Sequence, residues 1–103
     1  MNLQMITSQI ETILSVNEKV AENAVIISDG GQTSADLVVF LVPSVSTDES
    51  VLKKEIVEFI LDKTGEEISP SRIFIVEEIP RTGTGKLFRR VLHQMMASKD
   101  EEN

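Results

Sequence analysis

The sequence contains no cysteine, tryptophan or tyrosine, and it has a single histidine, His93. The lack of cysteine excludes disulfide bonds and metal sites built from thiolates. A lone histidine cannot complete a zinc site with its neighbours, so we predict that the chain holds no metal. Because the four Phe are the only aromatic residues, Ile, Val and Leu must form most of the core.

Long apolar runs and an excess of positive charge are also missing. No run is long enough to span a membrane, and the N-terminus lacks the charged-then-apolar pattern of a signal peptide, so we expect a cytoplasmic protein with no membrane partner. The formal net charge is -7, which argues against nucleic-acid binding because phosphate neutralisation requires a basic face. A length of 103 residues predicts one domain over 1–97, followed by a disordered acidic tail at 98–103.

The first half of the chain predicts a helix and a β-hairpin. Ser8 and Glu11 fit a capping box at the start of the helix, and Asn17 is placed to end it. The apolar residues at helical spacing predict its buried stripe: Ile6, Ile10, Ile13 and Leu14. Residues 25–28 are typical of a short strand. The continuous apolar run at 37–42, ended by Pro43, predicts a strand covered on both faces.

The second half predicts a helix, a strand and a further helix. Thr47-Asp48-Glu49 predicts the start of the helix, and Gly65 is placed to cap its end. The apolar stripe between them consists of Leu52, Ile56, Phe59 and Ile60. Residues 72–76 are typical of a strand. Helical spacing then predicts a third helix with the apolar residues Leu87, Val91, Leu92 and Met95. The order of elements predicts an α/β (α+β) fold, in which a small three-stranded sheet is covered by about three helices.

The segment from Pro80 to Arg90, called here the basic segment, lies between the third strand and the third helix. It holds four of the ten basic residues of the chain: Arg81, Lys86, Arg89 and Arg90. Gly83 and Gly85 allow backbone angles closed to other residues and a close approach to a ligand. Lys86 follows them as a compact charge on a flexible stem. Such a loop can bring one ammonium group to an anionic reacting centre.

The basic segment allows two other interpretations. A phosphate-binding P-loop requires Gly where Pro80 stands and Ser or Thr where Leu87 stands, so we reject a stand-alone nucleotide hydrolase. A solvated turn that only connects two elements stays an open alternative. We expect Arg89 and Arg90 to be surface charges and not ligands, although their place early in a helix, where the dipole disfavours cations, indicates an acidic partner surface.

The basic segment resembles the closing motif of the adenylate-forming enzymes, which include acyl-CoA synthetases, the adenylation domains of peptide synthetases, and luciferases. The resemblance rests on Pro80-Arg81-Thr82, on Thr84-Gly85-Lys86-Leu87, and on Arg89, Arg90 and Leu92. Upstream, Gln9-Ile10-Glu11 and Leu14 resemble the opening of the family's small C-terminal domain, and residues 20–26 resemble the run into its first strand. The likeness extends over residues 4–96, nearly the whole chain.

The resemblance implies a small C-terminal lid domain of an AMP-forming acid ligase. In that family a large N-terminal domain holds ATP, magnesium and the acid, while the lid supplies one loop lysine to acyl-adenylate formation. By resemblance that lysine is Lys86, in a loop with Thr82, Gly83, Thr84 and Gly85, and the candidates for docking to the partner are Arg81, Arg89 and Arg90. The acceptor thiol would belong to CoA or to the pantetheine of an acyl or peptidyl carrier protein. We expect the chain to bind none of these cofactors alone and to be inactive in isolation.

Departures from the family pattern bear on the second half-reaction. The large domain, the hinge residue and most of the loop after it are absent, the connection at 29–36 is shorter than usual, and Gln9 replaces a frequent Glu. These departures leave the thiol-transfer step unassigned. Three interpretations stay open: a separately encoded lid that acts in trans, a fragment of a longer ligase, and a degenerate lid kept as a non-catalytic interaction or regulatory module.

Overall fold

The computed structural model describes residues 3–27, 36–85 and 90–95, and it shows the small α+β domain that the sequence predicts. None of the helices in this part of the chain is long and apolar enough to cross a membrane. In chain order the described elements are α1 (Leu3–Ser15), β1 (Val20–Ile27), β2 (Leu37–Pro43), α2 (Glu49–Thr64), a 3-10 helix (Pro70–Arg72), β3 (Ile73–Ile75) and α3, of which residues 90–95 are described.

The sheet has the strand order β1-β2-β3, with β2 at its centre. β1 and β2 pair in antiparallel fashion, which confirms the predicted hairpin, and β2 and β3 pair in parallel. Residues 37–41 of β2 are all fully buried, as continuous apolarity predicts for a strand covered on both faces. β1 is longer than the predicted strand at 25–28, because it begins at Val20; Ser28 lies outside the described residues, as does the predicted turn at 29–31.

The first helix begins earlier in the chain than the sequence predicts. α1 begins at Leu3, so Ser8 lies inside the helix and the predicted capping box is wrong. Leu3 and Ile6 add an apolar turn that packs on the core and extends the helix upstream of Ser8. The carboxylate of Glu11 does not reach back along the helix, because its Oε2 accepts the backbone N–H of Val25 in β1 at 3.2 Å.

The second helix has the start and the C-terminal cap that the sequence predicts. Asp48 is its N-cap, and Oδ1 of Asp48 accepts the N–H groups of Ser50 at 2.9 Å and Val51 at 3.2 Å. Hydrogen bonds from the Ser50 hydroxyl, then from the N–H groups of Val51 and Ser50, hold the pKa of Asp48 below its ordinary value. At the other end, Gly65 takes a left-handed φ of 77°, and its N–H donates to the carbonyl oxygen of Leu61.

The sheet separates two hydrophobic clusters, since alternate residues of β2 point to opposite faces. On one face α1 and α2 bury the stripes predicted for them, with Ile13 and Phe59 at the border and, at the centre, Ile6, Ile10, Leu14, Leu52, Ile56 and Ile60. The smaller cluster on the opposite face is called here the second-face cluster and consists of Ala24, Ile26, Val38, Phe40, Phe74, Ile79 and Leu92. The residues that precede and follow the basic segment therefore pack on the face away from α1 and α2.

Candidate functional site

The loop from Pro80 to Lys86, called here the lysine loop, is anchored to the second-face cluster from both sides. Ile79, which directly precedes it, is only 6% exposed, and Leu92 of α3 is completely buried. Both pack in the cluster that contains Phe40 and Phe74, whose rings meet edge to face at 5.3 Å. Because Ile79 and Leu92 pack in one cluster, the two ends of the segment between them lie on the same face of the sheet.

The described part of the lysine loop folds into a tight turn. The N–H of Gly85 donates to the carbonyl oxygen of Thr82 at 2.9 Å, and the hydroxyls of Thr82 and Thr84 share a hydrogen bond of 2.9 Å. A guanidinium nitrogen of Arg81 donates to the carbonyl oxygen of Gly85 at 3.4 Å. Hydrogen bonds therefore hold both the N–H and the carbonyl oxygen of Gly85, the residue directly before Lys86 in the sequence.

The two glycines of the loop differ in what the fold requires of them. Gly85 has a φ of 85°, in the left-handed region, where a side chain costs about 1–2 kcal/mol. Gly83 has no such angle, and a Cβ added at either position would meet no atom within 4 Å. The backbone conformation therefore requires glycine at 85, whereas nothing within the described domain requires it at 83.

Two arginines of the basic segment are accessible from solvent. Arg81 is exposed in the loop, and Arg90 is exposed in α3. The ion pairs that the described side chains form involve neither of them, since they join Lys19 to Glu55 and Lys63 to its neighbour Asp62. A partner surface that carries carboxylates can thus reach both arginines.

The structure brings most of the predicted site residues into one turn: Arg81, Thr82, Gly83, Thr84 and Gly85. Lys86 and Arg89, like Leu87 of the predicted third helix, lie outside the described residues. Lys86 directly follows Gly85 in the sequence. Within the described ranges, no group of three or more His, Asp or Glu side chains is arranged to hold a metal ion.

Two features of the site were not identified from the sequence. The anchoring of the loop by Ile79 and Leu92 was missed, although an isoleucine directly before Pro80 and a leucine on the predicted stripe of the third helix are signals for it. The hydrogen bond from Arg81 to Gly85 was also missed. No local pattern indicates it, because it depends on how the turn folds back on itself.

Comparisons with known proteins agree with this architecture. The model of the AMP-binding enzyme C-terminal domain family matches residues 9–86, so the match begins in α1 and ends at Lys86. The chain is 32% identical over 98 residues to acetyl-coenzyme A synthetase 1 of Debaryomyces hansenii and 33% identical over 101 residues to acetyl-coenzyme A synthetase of Coprinopsis cinerea. Each match covers 93% of this chain, and the chain spans 15% of the length of these relatives.

Solved structures show the same fold. An acyl-CoA synthetase of Brucella canis matches with a TM-score of 0.70 at 21% identity, over 91% of this chain and 18% of that one. A benzoate CoA ligase from Burkholderia xenovorans LB400 matches with a TM-score of 0.68 at 27% identity, over 84% of this chain and 18% of that one. With a family match over most of its length and this fold, the chain belongs to the AMP-binding enzyme C-terminal domain family of the adenylate-forming ligases.

Proposed function

We propose that this chain is the lid of an AMP-forming acid ligase and that it supplies Lys86 to acyl-adenylate formation when it docks on a large ATP-binding domain. The observation that carries the proposal is the turn at 82–85, which is closed by its own hydrogen bonds and ends one residue before the lysine. Both flanks of the loop are packed on the sheet. Family membership supports the assignment, since the matched range ends on Lys86.

A lysine at this place suits a reaction that joins two anions. The carboxylate of the acid and the α-phosphate of ATP repel each other, and an ammonium group between them offsets that repulsion. Two unit charges about 4 Å apart interact by roughly 4 kcal/mol at an effective dielectric constant near 20. The flexible stem of Lys86 lets its charge follow an oxygen whose charge changes during the reaction. In this proposal Gly85 leaves the approach to the lysine open, and the bond between Thr82 and Thr84 keeps the shape of the loop.

The proposal requires a partner that holds the substrates, because the chain spans 15% of the curated relatives. The large domain, in trans or in the parent chain, would bind ATP, magnesium and the acid. CoA or the pantetheine of a carrier protein would accept the acyl group after adenylation. Arg90, exposed in α3, would contact acidic groups of the large domain.

The test is a chimera in which this chain replaces the C-terminal domain of an acetyl-CoA synthetase, with pyrophosphate release measured on ATP and acetate. We expect release well above that of the large domain alone. Lys86→Ala should lower the rate by about 10²–10³-fold, as loss of one preorganised donor does. Lys54→Ala is the matched control, because Lys54 is an exposed lysine on α2, across the sheet from the loop, and its rate should equal that of the unmodified chimera.

The outcomes separate the candidate functions. A folded chimera that releases no pyrophosphate would contradict the proposal. In that case, binding of the labelled chain to the large domain would favour a non-catalytic interaction module. Equal rates for the unmodified chimera and Lys86→Ala would show that the lysine serves docking and not catalysis.

A further inference from the structure

We infer that a cavity at the free edge of the sheet, called here the edge cavity, binds an alkylammonium group. The cavity has a volume of about 500 Å³, within the range of ligand sites. It lies where α1, on one face of the sheet, and α3, on the other, meet the edge strand β1. None of the described residues of the lysine loop lines it. The residues that carry the inference are Thr7, Ser8 and Glu11 of α1, Val25 and Ile27 of β1, and His93 of α3.

Glu11 gives the edge cavity its charge. Its side chain is half-buried, and Oε2 accepts the backbone N–H of Val25 at 3.2 Å, which holds the carboxylate against the strand. None of the ion pairs formed by the described side chains includes Glu11, and no Lys or Arg is among the described residues of the cavity wall. One hydrogen bond leaves most of the accepting capacity of a carboxylate unused. The described part of the domain therefore supplies no cation to this charge, and a ligand can supply one.

Other polar groups of the wall can accept hydrogen bonds. The hydroxyl of Thr7 donates to the carbonyl oxygen of Leu3 at 2.8 Å, so the oxygen of Thr7 keeps its lone pairs for a donor. Nδ1 of His93 is buried and has no hydrogen-bond partner in the described chain, and it is an acceptor when the neutral ring carries its proton on Nε2. An ammonium group has three N–H donors and no acceptor. It therefore fits this wall better than an anion does.

The edge strand adds an apolar surface and open backbone groups. The N–H of Val25 points away from β2, because it donates to Glu11 in α1, and the strand register is regular from Glu22 to Ile27. Since the backbone groups of alternate residues point to the same side of a strand, those of Ile27 also face the free edge. The half-buried side chain of Ile27 offers the methylene groups of an alkylammonium ligand a surface to pack on.

Two sources carry this chemical group: a free primary amine, and a lysine side chain, which is a butylammonium chain on a peptide backbone. Only the lysine of a peptide chain also brings backbone groups that can pair with Ile27 at the strand edge. Two probes with the same cationic chain distinguish the sources, namely n-butylammonium and Nα-acetyl-lysine N-methylamide. A neutral probe of the same shape, n-butanol, tests whether the charge is needed.

The experiment titrates each probe into the nitrogen-15-labelled full chain at about pH 8, where alkylamines are protonated, and at constant ionic strength. The amide of Val25 should shift most, because its hydrogen bond ends on the carboxylate that the ammonium group binds. We expect saturable shifts at Val25 and Ile27 with a dissociation constant of about 1–10 mM, as one partly exposed ion pair and a few methylene groups provide. n-Butanol should give no saturable shift.

A pair of charge-matched variants tests the role of Glu11. Glu11→Gln keeps an oxygen that can accept the N–H of Val25, and it should weaken n-butylammonium binding about tenfold, as loss of a charge-assisted hydrogen bond does. Glu58→Gln removes the same charge from an exposed position on α2 and should leave the dissociation constant unchanged. Equal weakening by the two variants would show non-specific attraction to an acidic protein and would overturn the inference.

The probes decide between the remaining outcomes. Tighter binding of the lysine derivative upholds the site and identifies a lysine of a partner protein as its occupant, whereas tighter binding of n-butylammonium upholds it for a free amine. No saturable shift with either cation, or equal binding of n-butanol, overturns the inference. The comparison with n-butanol uses the native chain alone, so it holds even where Glu11→Gln does not fold.

Discussion

Replacing Gly85 should reduce adenylation while the domain stays folded, and replacing Gly83 should do neither. The two residues lie in one exposed turn, and an added Cβ meets no atom within 4 Å at either position. They differ in backbone conformation, because only Gly85 has a left-handed φ, of 85°. A comparison of Gly85→Ala with Gly83→Ala therefore isolates the effect of that conformation.

The expected magnitude follows from the strain of a side chain in the left-handed region, about 1–2 kcal/mol. A free-energy change of that size shifts a conformational equilibrium by roughly 5–30-fold. The turn is held by few hydrogen bonds, so the loop can relieve the strain by leaving this conformation while both hydrophobic clusters remain packed. We expect pyrophosphate release to fall by up to roughly 30-fold and the free energy of unfolding to fall by less than the full strain.

The assay combines pyrophosphate release by the acetyl-CoA synthetase chimera with urea denaturation of the separate chain. Gly83→Ala should match the native chain in both measurements. Equal losses of rate in the two variants would refute the reasoning, because the space at the tip of the loop, and not the left-handed angle, would then limit the reaction. A large loss of stability in Gly85→Ala would show that the turn is part of the cooperative core.

Two further predictions concern the anchor of the loop and the cap of α2. Leu92→Ala should lower the free energy of unfolding by about 2–5 kcal/mol and reduce pyrophosphate release, because Leu92 is fully buried in the second-face cluster. The control is Leu61→Ala, at a position 46% exposed, which should lower the free energy of unfolding by less than about 0.5 kcal/mol in urea denaturation. Equal losses of stability in the two variants would contradict the anchoring of the loop by Leu92. Because hydrogen bonds lower the pKa of Asp48 in the folded domain, its carboxylate stabilises the fold above about pH 4, and this contribution disappears as the pH falls through the folded pKa. Asp48→Asn, which keeps a capping acceptor, should therefore be less stable than the native chain at neutral pH, and this difference should shrink as the pH falls through the folded pKa of Asp48. A stability difference independent of pH would contradict the assignment.

The sequence predicted those parts of the fold whose causes are local. The start of α2 near Asp48 and its cap at Gly65 follow from the sequence because each residue acts on backbone groups within four residues. Burial of β2 on both faces follows from its unbroken apolar run at 37–42. The stripes of α1 and α2 follow from helical spacing alone, since one face of each helix has to meet the sheet.

Predictions failed where a distant partner decides the outcome. Ser8 and Glu11 have the spacing of a capping box, but Glu11 bonds to Val25, which is remote in sequence. The sequence did not predict that β1 begins at Val20, because an edge strand carries polar residues. Among them, Asn23 donates its side-chain amide to the carbonyl oxygen of Glu11 at 3.4 Å and to the hydroxyl of Ser15 at 3.2 Å, contacts that exist only once α1 has packed on the strand.

The candidate site shows the same difference between features with local causes and features that depend on distant contacts. The motif around Lys86 identified the family and the loop, because glycine, threonine and lysine at this spacing form a specific pattern. The shape of the loop depends on Ile79 and Leu92, which pack in one cluster on the same face of the sheet, and on the hydrogen bond from Arg81 back to Gly85. These contacts form between parts of the chain that no short pattern connects, so they required the structure.

The most direct test of the central claim is the distance between Nζ of Lys86 and the reacting groups in a crystal structure of the chimera with a bound acyl-adenylate analogue. The proposed function predicts that Nζ lies about 3 Å from an oxygen of the acyl carboxyl or of the phosphate, within hydrogen-bond distance. A docked domain in which Nζ of Lys86 points into solvent, beyond the reach of both groups, would contradict it.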